Sequence, residues 1–153
     1  MPAFNRGKIL IAQFNIAATS FELQAVLVTT GYTFDPDHNV VDDGTTNDLK
    51  SYELGVSGYA RQTLVNKSVF EDDTNEFVGL DCDNLTFATL GTGATAGGVG
   101  IFRYSSSGGT TSDTGQDVFC FSSITATPTN GGDIGITIPS TSAGALLKLA
   151  STS

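Results

Sequence analysis

The chain has 153 residues, enough for one compact domain, and only 15% of them are charged, against about 25% in an average protein. Its net charge of −9, from 7 basic and 16 acidic residues, argues against nucleic acid and against an anionic membrane as partners. No apolar run approaches the roughly 20 residues that span a bilayer. We therefore expect a protein made in the cytoplasm, with an acidic surface that suits a basic partner face.

The N-terminal residues 1–20 are expected to form an arm or one short helix. Apolar residues at positions 9, 10, 11 and 14 suit a helix or a strand equally well. The rest of the chain, residues 21–153, is expected to form a single β domain.

The first predicted strand covers residues 21–28, where Leu23, Ala25 and Leu27 alternate with polar residues before the segment becomes apolar on both faces. A loop over residues 31–44 follows, because Pro36 is incompatible with a central strand. Residues 47–58 are ambiguous between a helical turn and a loop.

A β-meander is predicted for residues 63–104, because short apolar runs alternate there with Asp, Asn and Gly. Residues 72–75 are the predicted hairpin turn, since Asp and Asn tolerate the left-handed backbone. We expect this meander to be the middle of one sheet against which both ends of the chain pack. The glycine-rich residues 91–100 and the Gly, Ser and Thr residues 105–115 are predicted loops on either side of a short strand, 99–104.

The C-terminal part continues the β pattern. Residues 117–122 are apolar on both faces and predict a buried strand, and residues 125–132 predict a turn. Residues 134–138 show the cleanest alternation, and residues 145–150 predict a last strand. About eight short strands separated by turns predict an all-β, single-domain antiparallel β-sandwich or jelly-roll-like fold with at most one short N-terminal helix.

Metal binding has one partial pattern. Asp35, Asp37 and Asn39 stand at alternate positions, as in the start of a calcium loop, but Val40 replaces the expected glycine and Thr46 the expected glutamate. We predict solvated loop acids and no metal site. The carboxylates kept as candidates for a hard cation are Asp35, Asp37, Asp42 and Asp72.

Catalytic patterns are sparse, and we predict no catalytic residue and no cofactor. His38 is the only histidine, so any triad must use it. Residues 91–96 match a dinucleotide fingerprint, but a strand rather than a helix is predicted after them. Cys82 and Cys120 are predicted to be free, buried thiols.

The order of several segments resembles a group of small virion proteins of tailed bacteriophages. The group has an "LVTS-Y-T-P" segment, an "EV-G-GY" segment, a "D-TN-V-D-DD-TW" hairpin, an "A-Y-V-Y" strand and a closing "F-I-W…GIL-L" segment. The corresponding parts of this chain are residues 27–37, 53–60, 73–87, 99–104 and 134–149. Phe87 stands where the group usually has Trp, and the Gly- and Ser-rich loops are longer here.

The resemblance implies a non-enzymatic structural protein of the phage particle. The interpretation is a capsid decoration (cement) protein on the virion surface, made in the bacterial host cytoplasm, that binds the major capsid protein as a homo-oligomer, a trimer or dimer. Phe4, Arg6 and Phe14 are the predicted contacts of an exchanged N-terminal arm. Two alternatives remain: a tail, neck or fibre accessory protein, and a glycan- or calcium-binding β module.

Overall fold

The structure is a computed structural model, and it describes residues 22–72, 77–104, 112–138 and 147–150. The described residues form nine β-strands and one short 3-10 turn, Asp113–Gly115. The strands are β1 (Glu22–Thr29), β2 (Gln62–Thr63), β3 (Ser68–Asp72), β4 (Phe77–Asp81), β5 (Leu85–Phe87), β6 (Thr95–Tyr104), β7 (Val118–Pro128), β8 (Ile134–Ile136) and β9 (Leu147–Ala150).

The strands are arranged in three antiparallel sheets. The largest has the order β2-β1-β6-β7, a second has the order β3-β4-β9, and β5 pairs with β8. The prediction of an all-β, antiparallel, sandwich-like fold is confirmed. The predicted boundary at residue 20 and the N-terminal helix lie outside the described residues.

Strand β1 is buried on both faces, as its sequence predicts. Leu23, Ala25 and Leu27 contribute to a first core between the largest sheet and the β5–β8 pair. The β5–β8 side of that core consists of Leu85, Phe87, Ile134 and Ile136. The burial of Ile134 and Ile136 with Gly135 exposed confirms the predicted alternation in this segment.

A long loop covers the second face of the largest sheet. Val26 and Val28 of β1 contact a second core that also contains Phe102 and Phe121. Besides Val118 of β7, its remaining members come from the β1–β2 connection, where no long strand or helix forms: Tyr32, Val41 and Leu49, with Phe34 and Tyr52 packed against them. The ambiguous residues 47–58 therefore form turns that seal a core.

The predicted meander is only partly correct. Strands β3 and β4 form the expected antiparallel hairpin, with Asp72 opposite Phe77. Of the predicted turn, residues 72–75, positions 73–75 lie outside the described residues. The next strands do not continue that sheet, because β5 pairs with β8, and β6 lies between β1 and β7. Local spacing predicted these strands, whereas distant hydrophobic surfaces determine their partners.

Two predicted breaks in the strand pattern are wrong. The segment 91–100 is not all loop, since β6 begins at Thr95, and β7 continues through Pro128 where a turn was expected. The reason lies in close packing: a Cβ at Gly98 would stand 2.4 Å from Cζ of Phe121. Glycine is required in the middle of β6 because an aromatic ring occupies the space of a side chain.

Candidate functional site

The most extensive set of ionic contacts among the described residues surrounds Arg61. Its Nε and Nη2 donate to Oε1 and Oε2 of Glu53 at 2.7 and 2.6 Å, and its Nη1 and Nη2 donate to Oδ1 and Oδ2 of Asp113 at 2.6 and 3.0 Å. Lys50 adds contacts of 3.3 Å to Glu53 and 3.2 Å to Asp113. We call Lys50, Glu53, Arg61 and Asp113 the Arg61 cluster; it holds two positive and two negative charges.

Several elements place these side chains together. Glu53 forms an isolated β-bridge with Val28 of β1, and the Tyr59 hydroxyl donates to Oε1 of Glu53 at 3.0 Å. The same hydroxyl accepts a hydrogen bond from the Leu27 backbone N–H at 3.2 Å. The Arg61 guanidinium lies 5.1 Å from the centre of the Phe102 ring in β6, within cation–π range. The cluster therefore joins the β1–β2 connection and the 3-10 turn to the largest sheet.

The electrostatics of the cluster favour the charged forms of its members. Burial opposes ionisation of Glu53, but the hydrogen bonds and charge of Arg61 outweigh it and hold the pKa of this carboxyl below its usual 4.5. The same balance lowers the pKa of Asp113 below 3.8. Burial would lower the pKa of Arg61, yet its two carboxylate partners raise it above its usual range. The cluster thus has no net charge, and its two cations are paired with two carboxylates that connect separate segments of the chain.

The lowered carboxyl pKa values predict a stability that falls in acid. A group with a depressed folded pKa stabilises the fold above its unfolded pKa, here 4.5 for Glu53 and 3.8 for Asp113. That contribution is lost as the pH falls through the lower folded values. Chemical unfolding monitored by circular dichroism at a series of pH values below about 5 measures the slope.

A matched pair of variants tests the source of this slope. Glu53→Gln combined with Asp113→Asn removes both titrating carboxyls and is expected to flatten the acid dependence. Asp42→Asn is the control, because it removes a carboxyl outside the cluster. The amide oxygen of the new side chain can still accept the hydrogen bond that the Gly44 N–H donates to Oδ1 of Asp42. An acid slope equal in the parent and the cluster variant would assign it to other carboxyls.

Two of the four candidate metal residues, Asp35 and Asp42, act as turn formers. Oδ1 of Asp35 accepts from the Asp37 N–H at 2.9 Å, and Oδ1 of Asp42 accepts from the Gly44 N–H at 3.1 Å. Asp72 lies at the end of β3, whereas the other three candidates lie in the β1–β2 connection. Within the described ranges, no three His, Cys, Asp or Glu side chains converge as metal ligands. The structure does not bring the four candidate aspartates together.

His38 packs into the loop that covers the second core. Its Nδ1 lies 3.3 Å from the Tyr32 hydroxyl, and its Nε2 lies 3.8 Å from a carboxylate oxygen of Asp35 and of Asp43. The His38 side chain is 8% exposed. Burial raises the pKa of Tyr32 above its usual range, so this neighbour remains a neutral phenol. These contacts order the loop around a buried ring.

The two thiols are free and buried, which confirms the prediction. Burial, followed by the charges of Asp81 and Asp83, raises the pKa of Cys82 to about 11. Burial also raises the pKa of Cys120 to about 12. Both side chains are therefore neutral thiols near neutral pH, a form in which cysteine is a poor nucleophile.

The remaining sequence predictions concern the fingerprint residues 91–96 and the residues of the N-terminal arm. The fingerprint residues 91–96 run into strand β6, which begins at Thr95, so a strand rather than a helix follows them, as expected, and no helix N-terminus is available there for a phosphate. Phe4, Arg6 and Phe14 lie outside the described residues. Sequence reasoning missed the Arg61 cluster, because Asp113 is 52 positions from Arg61 in a segment predicted to be loop.

Comparison with known proteins gives no relative. No family model matches the chain, and no curated protein and no solved structure matches it either. Among the described segments, no helix has the length and hydrophobicity needed to cross a membrane.

Proposed function

We propose that this chain is a non-enzymatic structural protein of a bacteriophage particle, namely a capsid decoration (cement) protein. It binds the major capsid protein on the outer surface of the head as a symmetric homo-oligomer. The observation that carries this proposal is the placement of the segments that resemble the phage group. Their described parts fall on the end of β1 and the loop after it, the Glu53 loop, β4, β5, β6, β8 and β9, which include strands of all three sheets.

Charge supports the choice of partner. The Arg61 cluster neutralises two of the basic residues internally, and Arg103 lies 3.8 Å from a carboxylate oxygen of Asp117. Among the described residues these cations are matched by carboxylates, so the net charge of −9 rests on the excess of carboxylates in the chain. Such a surface attracts a basic face on the shell and repels the DNA that the shell contains.

Stability supports the role as well. A decoration protein gains nothing from a reactive group but requires a rigid body on which binding loops are fixed. The half-buried Arg61 cluster and the loop packed over the second core provide such rigidity in the β1–β2 connection. A homo-oligomer that contacts several equivalent sites on the shell at once then gains affinity through multivalency.

The test is a binding measurement with isolated shells. Light scattering gives the mass of the purified protein alone, where a trimer or dimer is expected, and co-sedimentation with shells stripped of it gives the copy number. Binding at near-stoichiometric copy number supports decoration, and shells that already carry the protein serve as the saturated control. A few copies per particle would place the protein in the tail or neck, and no binding would overturn a particle role.

A truncation tests the arm separately. Deleting residues 1–8 is expected to weaken oligomer formation or shell binding, because the predicted contacts Phe4 and Arg6 are lost. Unchanged mass and unchanged co-sedimentation would remove the arm from the binding surface. The proposal for the β domain would then rest on the shell-binding result alone.

A further inference from the structure

A polar pocket of about 400 Å³ lies apart from the Arg61 cluster. It is an open surface pocket, since Asn66, Asp83, Asn84 and Thr137 in its lining are all exposed. Three segments form its walls: the residue Asn66 before β3, the β4–β5 connection, and the residues that follow β8. The polar side chains that line it are Asn66, Asp81, Asp83, Asn84 and Thr137.

Hydrogen bonds between the three segments hold the pocket open. The Asp83 N–H donates to the Val65 carbonyl at 3.1 Å, and Nδ2 of Asn66 donates to Oδ2 of Asp83 at 2.7 Å. The Ile138 N–H donates to Oδ1 of Asn84 at 2.8 Å. Asn66 has a φ of 52°, a left-handed conformation that asparagine tolerates better than most residues. The walls are therefore fixed before any ligand arrives.

These bonds determine which polar atoms remain for a ligand. Because a backbone N–H occupies Oδ1 of Asn84, this side chain presents its NH₂ group, a donor. Because the Asn66 amide donates to a carboxylate, its oxygen remains as an acceptor. One carboxylate oxygen of Asp81 accepts from the Cys82 N–H at 2.8 Å, which leaves the other as an acceptor. With the Thr137 hydroxyl, the pocket offers donors and acceptors side by side.

This mixture selects among ligand classes. A guanidinium or ammonium group only donates, so it could pair with the carboxylates but not with the Asn84 NH₂ group, whereas phosphate would face two carboxylates. In the described part of the chain, no three His, Cys, Asp or Glu groups stand close enough to hold a metal ion. Hydroxyl groups both donate and accept, so adjacent hydroxyls match the carboxylates and the amide at once.

We propose that this pocket binds a small polyhydroxylated ligand, a single saccharide unit. Asp81 and Asp83 accept from its hydroxyls, and the Asn84 amide donates to one of them. The described lining has no aromatic ring to stack on a sugar face, so the affinity is weak, in the millimolar range. This site is independent of shell binding, and a virion surface protein with it would also contact glycans.

The experiment is an NMR titration of the ¹⁵N-labelled full chain with glucose, galactose, mannose and N-acetylglucosamine, each added separately. We expect saturable shifts confined to the backbone amides of residues 66, 81–84 and 137–138 for at least one sugar. Asn84→Asp keeps the oxygen that Ile138 requires but replaces the donor with an acceptor. This variant is expected to bind that sugar at least about tenfold more weakly.

Asn130→Asp is the matched control, since Oδ1 of Asn130 also accepts from a backbone N–H, that of Gly132 at 3.0 Å, away from the pocket. It should bind the sugar like the parent, and thermal melts of both variants verify folding. Three results would overturn the proposal: no pocket shifts with any sugar, equal binding by Asn84→Asp, or shifts with arginine or calcium chloride but with no sugar.

Discussion

We expect the Arg61→Met variant to lose about 3 kcal/mol of unfolding free energy, which corresponds to a melting temperature lower by roughly 10 °C. Methionine keeps much of the length of the side chain but removes the charge and the donors. The Glu53 and Asp113 side chains are only 11% and 14% exposed, so their carboxylates would lose their main partner in a poorly solvated place. Urea unfolding followed by circular dichroism measures the loss.

Two further variants separate charge from packing. Lys50→Met removes the other cation, but the Lys50 side chain is 50% exposed, so a loss below about 1 kcal/mol is expected. The triple variant Arg61→Met, Glu53→Gln, Asp113→Asn leaves no unpaired charge and should recover part of the stability. If Arg61→Met were as stable as the parent, the cluster would not contribute to the unfolding free energy.

The second large effect is expected at Gly98 in β6. Its substitution by alanine places a methyl group 2.4–2.5 Å from ring atoms of Phe121, and we expect a loss of about 2 kcal/mol. The Phe121 ring has little freedom to move away, because it packs edge-on against the Tyr32 ring and stacks on the Phe34 ring. The distances between ring centroids are 4.9 Å and 5.9 Å. The melting temperature of the variant is the measurement.

A control and a rescue accompany this substitution. Gly135→Ala in β8 adds the same methyl group where no atom lies within 4 Å, and it should be close to neutral. Combining Gly98→Ala with Phe121→Leu removes the ring that the methyl group meets, so the double variant should lose less than the sum of the single losses. Additive losses would show that the glycine is required for another reason.

Local patterns predicted the strands well. The alternation in β1 and β8 and the hairpin of β3 and β4 are properties of neighbouring residues, and the structure confirms each of them. The many glycines in residues 91–100 led to the wrong prediction of a loop where β6 begins, since glycines usually mark loops. Here Gly98 and Gly100 make room for side chains from distant segments, Phe121 and Leu49, which a single sequence does not reveal.

Long-range pairing could not be predicted in the same way. The assignment of β6 to a position between β1 and β7 depends on the fit of two apolar faces, and many pairings satisfy the same alternation. The Arg61 cluster had the same difficulty. Glu53 and Arg61 are close in sequence, but the partner that completes the cluster, Asp113, follows a low-complexity segment with no signal of its own.

The central place of β1 has a consequence during synthesis of the chain. β1 emerges early from the ribosome, but Leu27 pairs with Val99, and β7 follows later still. Until β6 is made, β1 lacks this pairing partner, and only the β1–β2 connection is available to cover the face of Val26 and Val28, because the sheet consists of contacts of high sequence separation. Folding is therefore expected to be slow and post-translational, and the nascent chain is a natural client for a chaperone that shields β1.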